Sequence, residues 1–404
     1  MSFGLYLHTP FCTAKCGYCD FYSLPAGAGE VERAAASLLA VTGRLLADGP
    51  WRGRPVATLY VGGGTPSLLP AGFFTRLLGA GGLLEGSLAP GAEITVEMNP
   101  ESVRPAWLAH LASLGVTRAS LGVQSFRPTR LAQLDRLHRP GQARRAIDQV
   151  RASGIPDLCL DLIVLLPGQD EAELDGEVAE LLSCRPEHVS AYGLGFEPGT
   201  ALDARRREGR IQPLDEERAA PLYLRLSRTL RRAGYQHYEV SNFALPGHAA
   251  RHNSSYWREE DVLAVGPSAV SAWTEDGRRR RRRFPADWRA FAMAAEEGRQ
   301  PDWPEEELGG AERWLESLFL GLRWRGGLDL AALEERYGAG RVQALRERAR
   351  QLGRHGPRER GGRGRRWLER RLFGGHARHP AGPALVLAPE QWLLLDEIVL
   401  RLAD

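Results

Sequence analysis

Lysine is almost absent from this chain of 404 residues: Lys15 stands alone against 52 arginines. Cysteine and methionine are also sparse, with five and three residues. Five cysteines in this length cannot build the dense disulfide framework of a small secreted scaffold. The first residues, Met1–His8, lack a basic segment leading into an apolar one, and no apolar run approaches the roughly 18 residues needed to span a bilayer. These absences lead to the expectation of a cytoplasmic protein. With 43% apolar and 25% charged residues, the length suits about two domains with substantial cores.

The formal net charge of +3 hides a regional imbalance. Between Arg341 and His379 there are 13 arginines against Glu347, Glu359 and Glu369, a local balance of +10, which leaves −7 elsewhere. A second basic run is the unbroken series Arg278–Arg283. Arginine clusters can neutralise phosphates, but no recognised nucleic-acid module accompanies them. A solvated loop, or a surface drawn to anionic lipid at the membrane periphery, is the preferred reading. Nucleic acid is not an expected partner.

From Gly4 to Leu194, short β-rich runs alternate with helical patterns. The strands expected are Gly4–Leu7, Ala57–Val61, Glu93–Glu97, Arg118–Val123, Leu158–Val164 and His188–Gly193. Between them, Val31–Leu46, Gly72–Leu84, Ala106–Leu114, Gln142–Ser153 and Glu171–Leu182 carry apolar residues near helical spacing. Six β/α units in series imply a parallel sheet with right-handed crossovers, either doubly wound or a full or partial barrel. Either layout collects functional groups where strands end and loops begin. After Gly195 the alternation stops. A helix over Asp215–Ala233 and a polar, aromatic stretch from Tyr235 to Trp257 follow, then a mainly helical domain with helices at Glu312–Leu322, Leu330–Tyr337, Gln343–Leu352 and Gln391–Leu402. The boundaries expected are 1–235, a connecting segment 236–305, and 306–404. The Gly/Arg-rich piece Arg354–Gly375 reads as loop.

Three of the five cysteines, Cys12, Cys16 and Cys19, fall within eight residues after the first strand. Three soft ligands on one short loop can cap one face of a metal centre. A structural zinc site needs a fourth ligand, for which His8 is the nearest candidate. Cys159 and Cys184 lie in apolar contexts and read as small core residues.

The Cys-x3-Cys-x2-Cys spacing, with Tyr18 before the last cysteine, resembles the radical S-adenosylmethionine (SAM) superfamily. That resemblance implies a [4Fe–4S] cluster on Cys12, Cys16 and Cys19, with its fourth iron chelated by the amino and carboxylate groups of SAM and electron transfer releasing a 5′-deoxyadenosyl radical. It also implies an incomplete parallel (β/α)6 barrel followed by a small helical domain. Gly62-Gly63-Gly64-Thr65-Pro66 is similar to the superfamily's glycine-rich SAM segment, where a side chain would block the methionine amine. Glu97, Gln124, Arg136 and Asp161 match in order and context the polar residues that hold SAM in the coproporphyrinogen-oxidase-like family, and Tyr6 and Tyr18 are expected to line the cluster pocket.

Within that family, three features favour the heme-chaperone branch over the oxygen-independent oxidase. Cys19-Asp20-Phe21 lacks the oxidase's fourth cysteine, and only eleven residues precede Cys12. His252-Asn253-Ser254-Ser255-Tyr256-Trp257 matches the branch's His-Asn-x-x-Tyr-Trp motif. His252 would ligate heme iron, with Asn253, Tyr256 and Trp257 alongside it. A polar capping loop with His252 hydrogen-bonded and no iron bound is the bland alternative. The resemblance implies heme as cargo, an acceptor protein, which a membrane-bound respiratory protein would suit, and an electron donor. The other function in view is oxidative decarboxylation of coproporphyrinogen III. One departure from the family pattern is Val164-Leu165-Leu166-Pro167-Gly168-Gln169, where Tyr-Gly-Leu-Pro-Gly-Gln is usual and where an altered SAM-pocket floor is expected.

Overall fold

The computed structural model describes residues 2–301, 303–355, 378–379 and 382–403. They form two compact units, one drawn from residues 1–214, 250–255 and 260–307, the other from 215–249, 256–259 and 308–404.

The larger unit is built on six parallel strands: β1 (Phe3–Thr9), β2 (Val56–Gly63), β3 (Leu88–Met98), β4 (Arg118–Gln124), β5 (Asp157–Val164) and β6 (His188–Gly193). They pair in sequence order. A parallel neighbour can be reached only by crossing over the sheet, and helices α1 (Glu30–Ala47), α2 (Ala71–Leu78), α3 (Pro105–Ser113), α4 (Pro140–Ser153) and α5 (Glu171–Ser183) occupy those crossovers. In α1 the buried residues Ala34, Ala35, Leu38, Val41 and Leu45 recur three or four apart, which is the stripe a sheet-facing helix requires. Proline at the first turn opens α3 and α4, while the Asp170 carboxylate accepts the Glu173 N–H at 2.8 Å to cap α5. The helix expected to run to Leu84 stops at Leu78, because Gly79-Ala80-Gly81-Gly82 follows and Gly81 turns at φ +72°. The expected α/β class with a parallel sheet is the class observed.

The sheet does not end with these six strands. β7 (Val262–Val265) pairs in parallel with β1, from Gly4 opposite Val262 to Leu7 opposite Val265. β8 (Val270–Glu275), β9 (Arg278–Arg283) and β10 (Glu305–Glu307) then continue it antiparallel. The six arginines are therefore an edge-region strand and not the expected solvated loop. Their charge is answered locally: Arg280 and Arg282 each reach Glu305 at 2.7 Å, Arg279 approaches Asp261 at 3.4 Å, and the Arg282 guanidinium lies 5.2 Å from the Trp273 ring centre. Opposite charges facing each other across strands stabilise pairing, so this run has a structural partner in Glu305–Glu307.

The smaller unit gathers helices Glu216–Arg232, Gly310–Leu322, Leu330–Tyr337, Ala339–His355 and Leu395–Ala403. Its core contains Trp314, Leu318, Leu322, Leu345, Trp392, Ile398 and Leu402. The expected helix Gln391–Leu402 is a 3-10 turn over Pro389–Leu394 followed by the α-helix Leu395–Ala403. Segment 215–249 belongs here because His237 packs edge-on against Trp392 at 4.8 Å and Val240 lies against the same core. The connecting segment expected over 236–305 is thus divided, its later half stitched into the large sheet by β7. Most of Arg354–Gly375 lies outside the described residues. No helix among the described residues is long and apolar enough to cross a membrane.

Candidate cofactor cavity

The cysteines sit on a loop with a clasped base. Phe11–Cys12 bridges Leu24–Pro25, the Leu24 N–H donates to Pro10 O at 2.9 Å, and the Ala26 N–H donates to Cys12 O at 3.0 Å. Within the loop the Cys19 N–H donates to Cys16 O, turning the chain so that Cys12, Cys16 and Cys19 all line one cavity of 380 Å³. All three are free and half-buried. Burial pushes the Cys12 thiol up and the Cys19 thiol up to about 11. Among the described residues no three His, Cys, Asp or Glu side chains converge on one ion.

His8 is not placed to be a fourth ligand. Its Nε2 contacts the Tyr22 carbonyl at 2.8 Å, and a carbonyl only accepts, so that nitrogen carries the proton. Nδ1 then accepts from the Tyr6 hydroxyl at 3.0 Å. Tyr6 is accordingly committed to His8 and, like His8, is not among the cavity residues, contrary to expectation; Tyr18 is among them.

Beside the cysteine loop lies the glycine cradle. A Cβ on Gly64 would come within 2.5 Å of Phe11 O and 2.8 Å of Thr9 O. Gly63 turns at φ +103°, and a Cβ there would meet the His8 ring at 2.6 Å. Glycine is required at both positions because the Thr9 and Phe11 carbonyls and the His8 ring pack where a Cβ would stand. The Gly64 and Thr65 N–H groups donate to Thr9 and Phe11 carbonyls at 2.7 and 2.8 Å, fastening cradle to cysteine loop.

Glu97, Gln124, Arg136 and Asp161 all reach the same cavity, as do Gly63, Gly64, Thr65 and Asn253. Glu97 is held at both oxygens: Oε1 accepts the Tyr60 hydroxyl at 2.6 Å and Oε2 accepts the Gly63 N–H at 3.1 Å. Gln124 adopts φ +63° at the end of β4, a left-handed conformation that a non-glycine side chain enters only when its surroundings impose it. Arg136 donates to Asn99 Oδ1 at 2.7 Å, to Gly122 O at 3.0 Å and to Cys16 Sγ at 3.3 Å, which puts a fixed cation beside the cysteine loop. Asp161 accepts from Ser120 at 3.1 Å, and burial raises its carboxyl.

Burial, reinforced by the nearby Asp161 charge, lifts Glu97 to about 7 despite the Tyr60 and Gly63 donors. Between the unfolded value near 4.5 and about pH 7, the folded protein holds a proton that the unfolded chain has released, so this group lowers stability as pH rises through that window. Glu97→Gln removes the effect. The stability of the variant relative to the parent is expected to increase from pH 5 to pH 8 by up to about 3 kcal/mol, measured by urea unfolding at each pH.

Several cavity residues escaped the sequence reading, although a signal was available. Side chains alternate across a strand. Stepping by two from the recognised residues reaches Tyr60 from Gly62, Thr95 and Asn99 from Glu97, Ser120 and Gly122 from Gln124, and Cys159 from Asp161. Cys159 is buried in the core, as expected, and its sulfur also faces the cavity wall 2.9 Å from His188 Nδ1. The departure at Val164–Leu165 does not reach the cavity. Leu165 adopts φ +59°, and its N–H donates to the Gln169 side chain at 2.8 Å.

The heme-motif residues are not gathered at this mouth. His252 is 1% exposed, with Nδ1 at 2.8 Å from the Thr58 hydroxyl and its ring 5.2 Å from that of Tyr60. Glu93 accepts the N–H groups of Arg251 and His252 at 3.0 and 2.9 Å, seating the start of helix Arg251–Trp257. Burial lowers the His252 imidazole to about 3, so it is neutral. Neither His252, Tyr256 nor Trp257 lines the cavity; Trp257 instead packs beneath Arg323 at 5.1 Å.

The model of the radical SAM superfamily matches residues 6–181, and that of the HemN C-terminal domain matches 309–356. Over 340 residues the chain is 38% identical to heme chaperone HemW of Mycobacterium tuberculosis, covering 82% of this chain and 84% of that one. The chain belongs to the HemW family. HemW of Escherichia coli is 38% identical over 278 residues, 68% of this chain and 71% of that one. The mitochondrial radical S-adenosyl methionine domain-containing protein 1 of Bos taurus is 32% identical over 329 residues, 79% and 73% of the two chains. Among solved structures, coproporphyrinogen III oxidase (HemN) of E. coli superposes with a TM-score of 0.76 at 19% identity, over 100% of this HemW-family chain and 90% of that one, a likeness of fold.

Proposed function

We propose that the protein is a heme chaperone: it binds heme and passes it to an acceptor protein, with a [4Fe–4S] cluster on Cys12, Cys16 and Cys19 and SAM in the adjoining cavity. The observation that carries the cofactor part is the single cavity shared by the three cysteines, the glycine cradle and Glu97, Gln124, Arg136 and Asp161. When bound and reduced, such a cluster supplies an electron to the SAM sulfonium. The chain's own contribution is positional. Arg136 offers a cation to a carboxylate beside Cys16, the Gly63–Gly64 backbone admits an amine, and Glu97 and Asp161 present oxygens to hydroxyl groups. The cargo part rests on the family and on His252-Asn253-x-x-Tyr256-Trp257. For His252 to ligate iron it must leave the seat described above, since a ring 1% exposed cannot face a porphyrin. A membrane-bound respiratory protein is a suitable acceptor to test, and a reduced electron carrier would serve the cluster.

The test is anaerobic. Reconstitute the cluster, titrate heme into the parent and His252→Ala, and assay coproporphyrinogen III conversion with SAM and reductant in parallel. Stoichiometric heme binding that weakens at least about tenfold in His252→Ala, without porphyrinogen turnover, is expected. Turnover without heme binding would replace the chaperone with the oxidase, and a colourless, zinc-binding product of reconstitution would remove the cluster as well.

A further inference from the structure

One side chain touches both candidate ligand groups. The Tyr60 hydroxyl donates to Glu97, whose other oxygen is held by the cradle at Gly63, while the Tyr60 ring lies 5.2 Å from that of His252 at an interplanar angle of 31°. Tyr6 stands against both rings, 6.0 Å from Tyr60 and 6.4 Å from His252. Tyr60 lies outside the glycine-rich and His-Asn-x-x-Tyr-Trp motifs. Thr58, two residues earlier on the same strand, holds His252 Nδ1, and Glu93 holds the helix start.

We propose that Tyr60 is a positioning residue through which SAM and heme oppose each other's binding. The proposal rests on the assignment of SAM to the cavity and of heme to His252. Tyr60 in this position orients Glu97 for SAM and at the same time packs His252 into its buried seat. SAM therefore binds better to the seated arrangement, whereas heme needs His252 out of it. Two ligands that prefer different states of one element are coupled, and the coupling is reciprocal. Filling the cavity with SAM shifts the population toward the seated histidine and lowers heme affinity, so arrival of SAM favours release of heme to an acceptor.

The experiment uses the reconstituted full-length protein with its cluster oxidised, so that SAM is bound and not consumed. Heme dissociation constants are measured by anaerobic difference absorbance with and without saturating SAM, and SAM dissociation constants by calorimetry with and without heme. In the parent, SAM is expected to weaken heme binding at least about fivefold, with the same factor for SAM when heme is present. Tyr60→Phe keeps the ring and deletes only the hydroxyl bond to Glu97. It should weaken SAM binding about tenfold and bring the heme ratio to within about twofold. Glu97→Gln, which approaches the link from the other side, should also reduce the ratio. Heme affinity that ignores SAM or rises with it, or a ratio undiminished in Tyr60→Phe, overturns the proposal. If His252→Ala binds heme as tightly as the parent, the chaperone site falls and the coupling with it. If His252→Ala loses heme while the ratio survives Tyr60→Phe, only the coupling through Tyr60 falls.

Discussion

Replacing any one of Cys12, Cys16 and Cys19 with alanine is expected to leave reconstituted protein with iron and sulfide near background, against about four of each in the parent. The expectation follows from how few substitutes the fold offers. In a cubane with three protein ligands each thiolate serves a different iron, so one loss is not shared by the others. His8 has both ring nitrogens engaged, with Tyr6 and the Tyr22 carbonyl. Cys159 is fixed in β5 against His188 and Ser190, and Cys184 bonds back to the Glu180 carbonyl at the end of α5. Cys159→Ser and Cys184→Ser are therefore expected to retain full iron and sulfide. Colorimetric iron and sulfide determination checks all five variants, and a single loop variant holding a full complement would refute the ligand assignment.

Gly64→Ala is expected to produce the second large loss, from a change of one methyl group. The added Cβ would sit 2.5 Å from the Phe11 carbonyl and 2.8 Å from that of Thr9, both backbone atoms. Neither can rotate away, because the Gly64 and Thr65 N–H groups are bonded to those same carbonyls. The cradle and the cysteine loop must separate, and overpacking of this kind costs about 1–3 kcal/mol. SAM affinity should fall roughly tenfold to a hundredfold, as calorimetry on reconstituted protein would register. Gly72→Ala, in α2 where a Cβ meets open space, is the matched control and should bind SAM as the parent does.

The relation between sequence and site differs by residue. Cys12, Cys16 and Cys19 were legible because ligand spacing on a loop is local, and Gly63 and Gly64 because the absence of a side chain is itself the signal. Glu97 and Gln124 could be named because they lie where their strands end, and Asp161, inside β5, because its context resembles the family's. Tyr60 and Cys159 were not legible as site residues: an aromatic and a thiol in β-rich runs read as core until the alternation is anchored to a face. His252 shows the converse. Its motif marked it for function, yet its burial beneath Tyr60 depends on Thr58 and Glu93, which lie 194 and 159 residues earlier in the chain. The strand character of the arginine run is hidden from the sequence because its partner strand, Glu305–Glu307, is separated from it by more than twenty residues.

By itself the sequence determined the α/β class, the serial order of six parallel strands and the loop that carries the cysteines, since each depends on periodicity or spacing over a few tens of residues. Tertiary structure alone decided the seventh parallel strand at Val262–Val265, the division of the connecting segment between two units, and the contact of Tyr60 with both Glu97 and His252. Those outcomes are set by pairing and packing between distant segments, whose free energy has no counterpart in any local pattern.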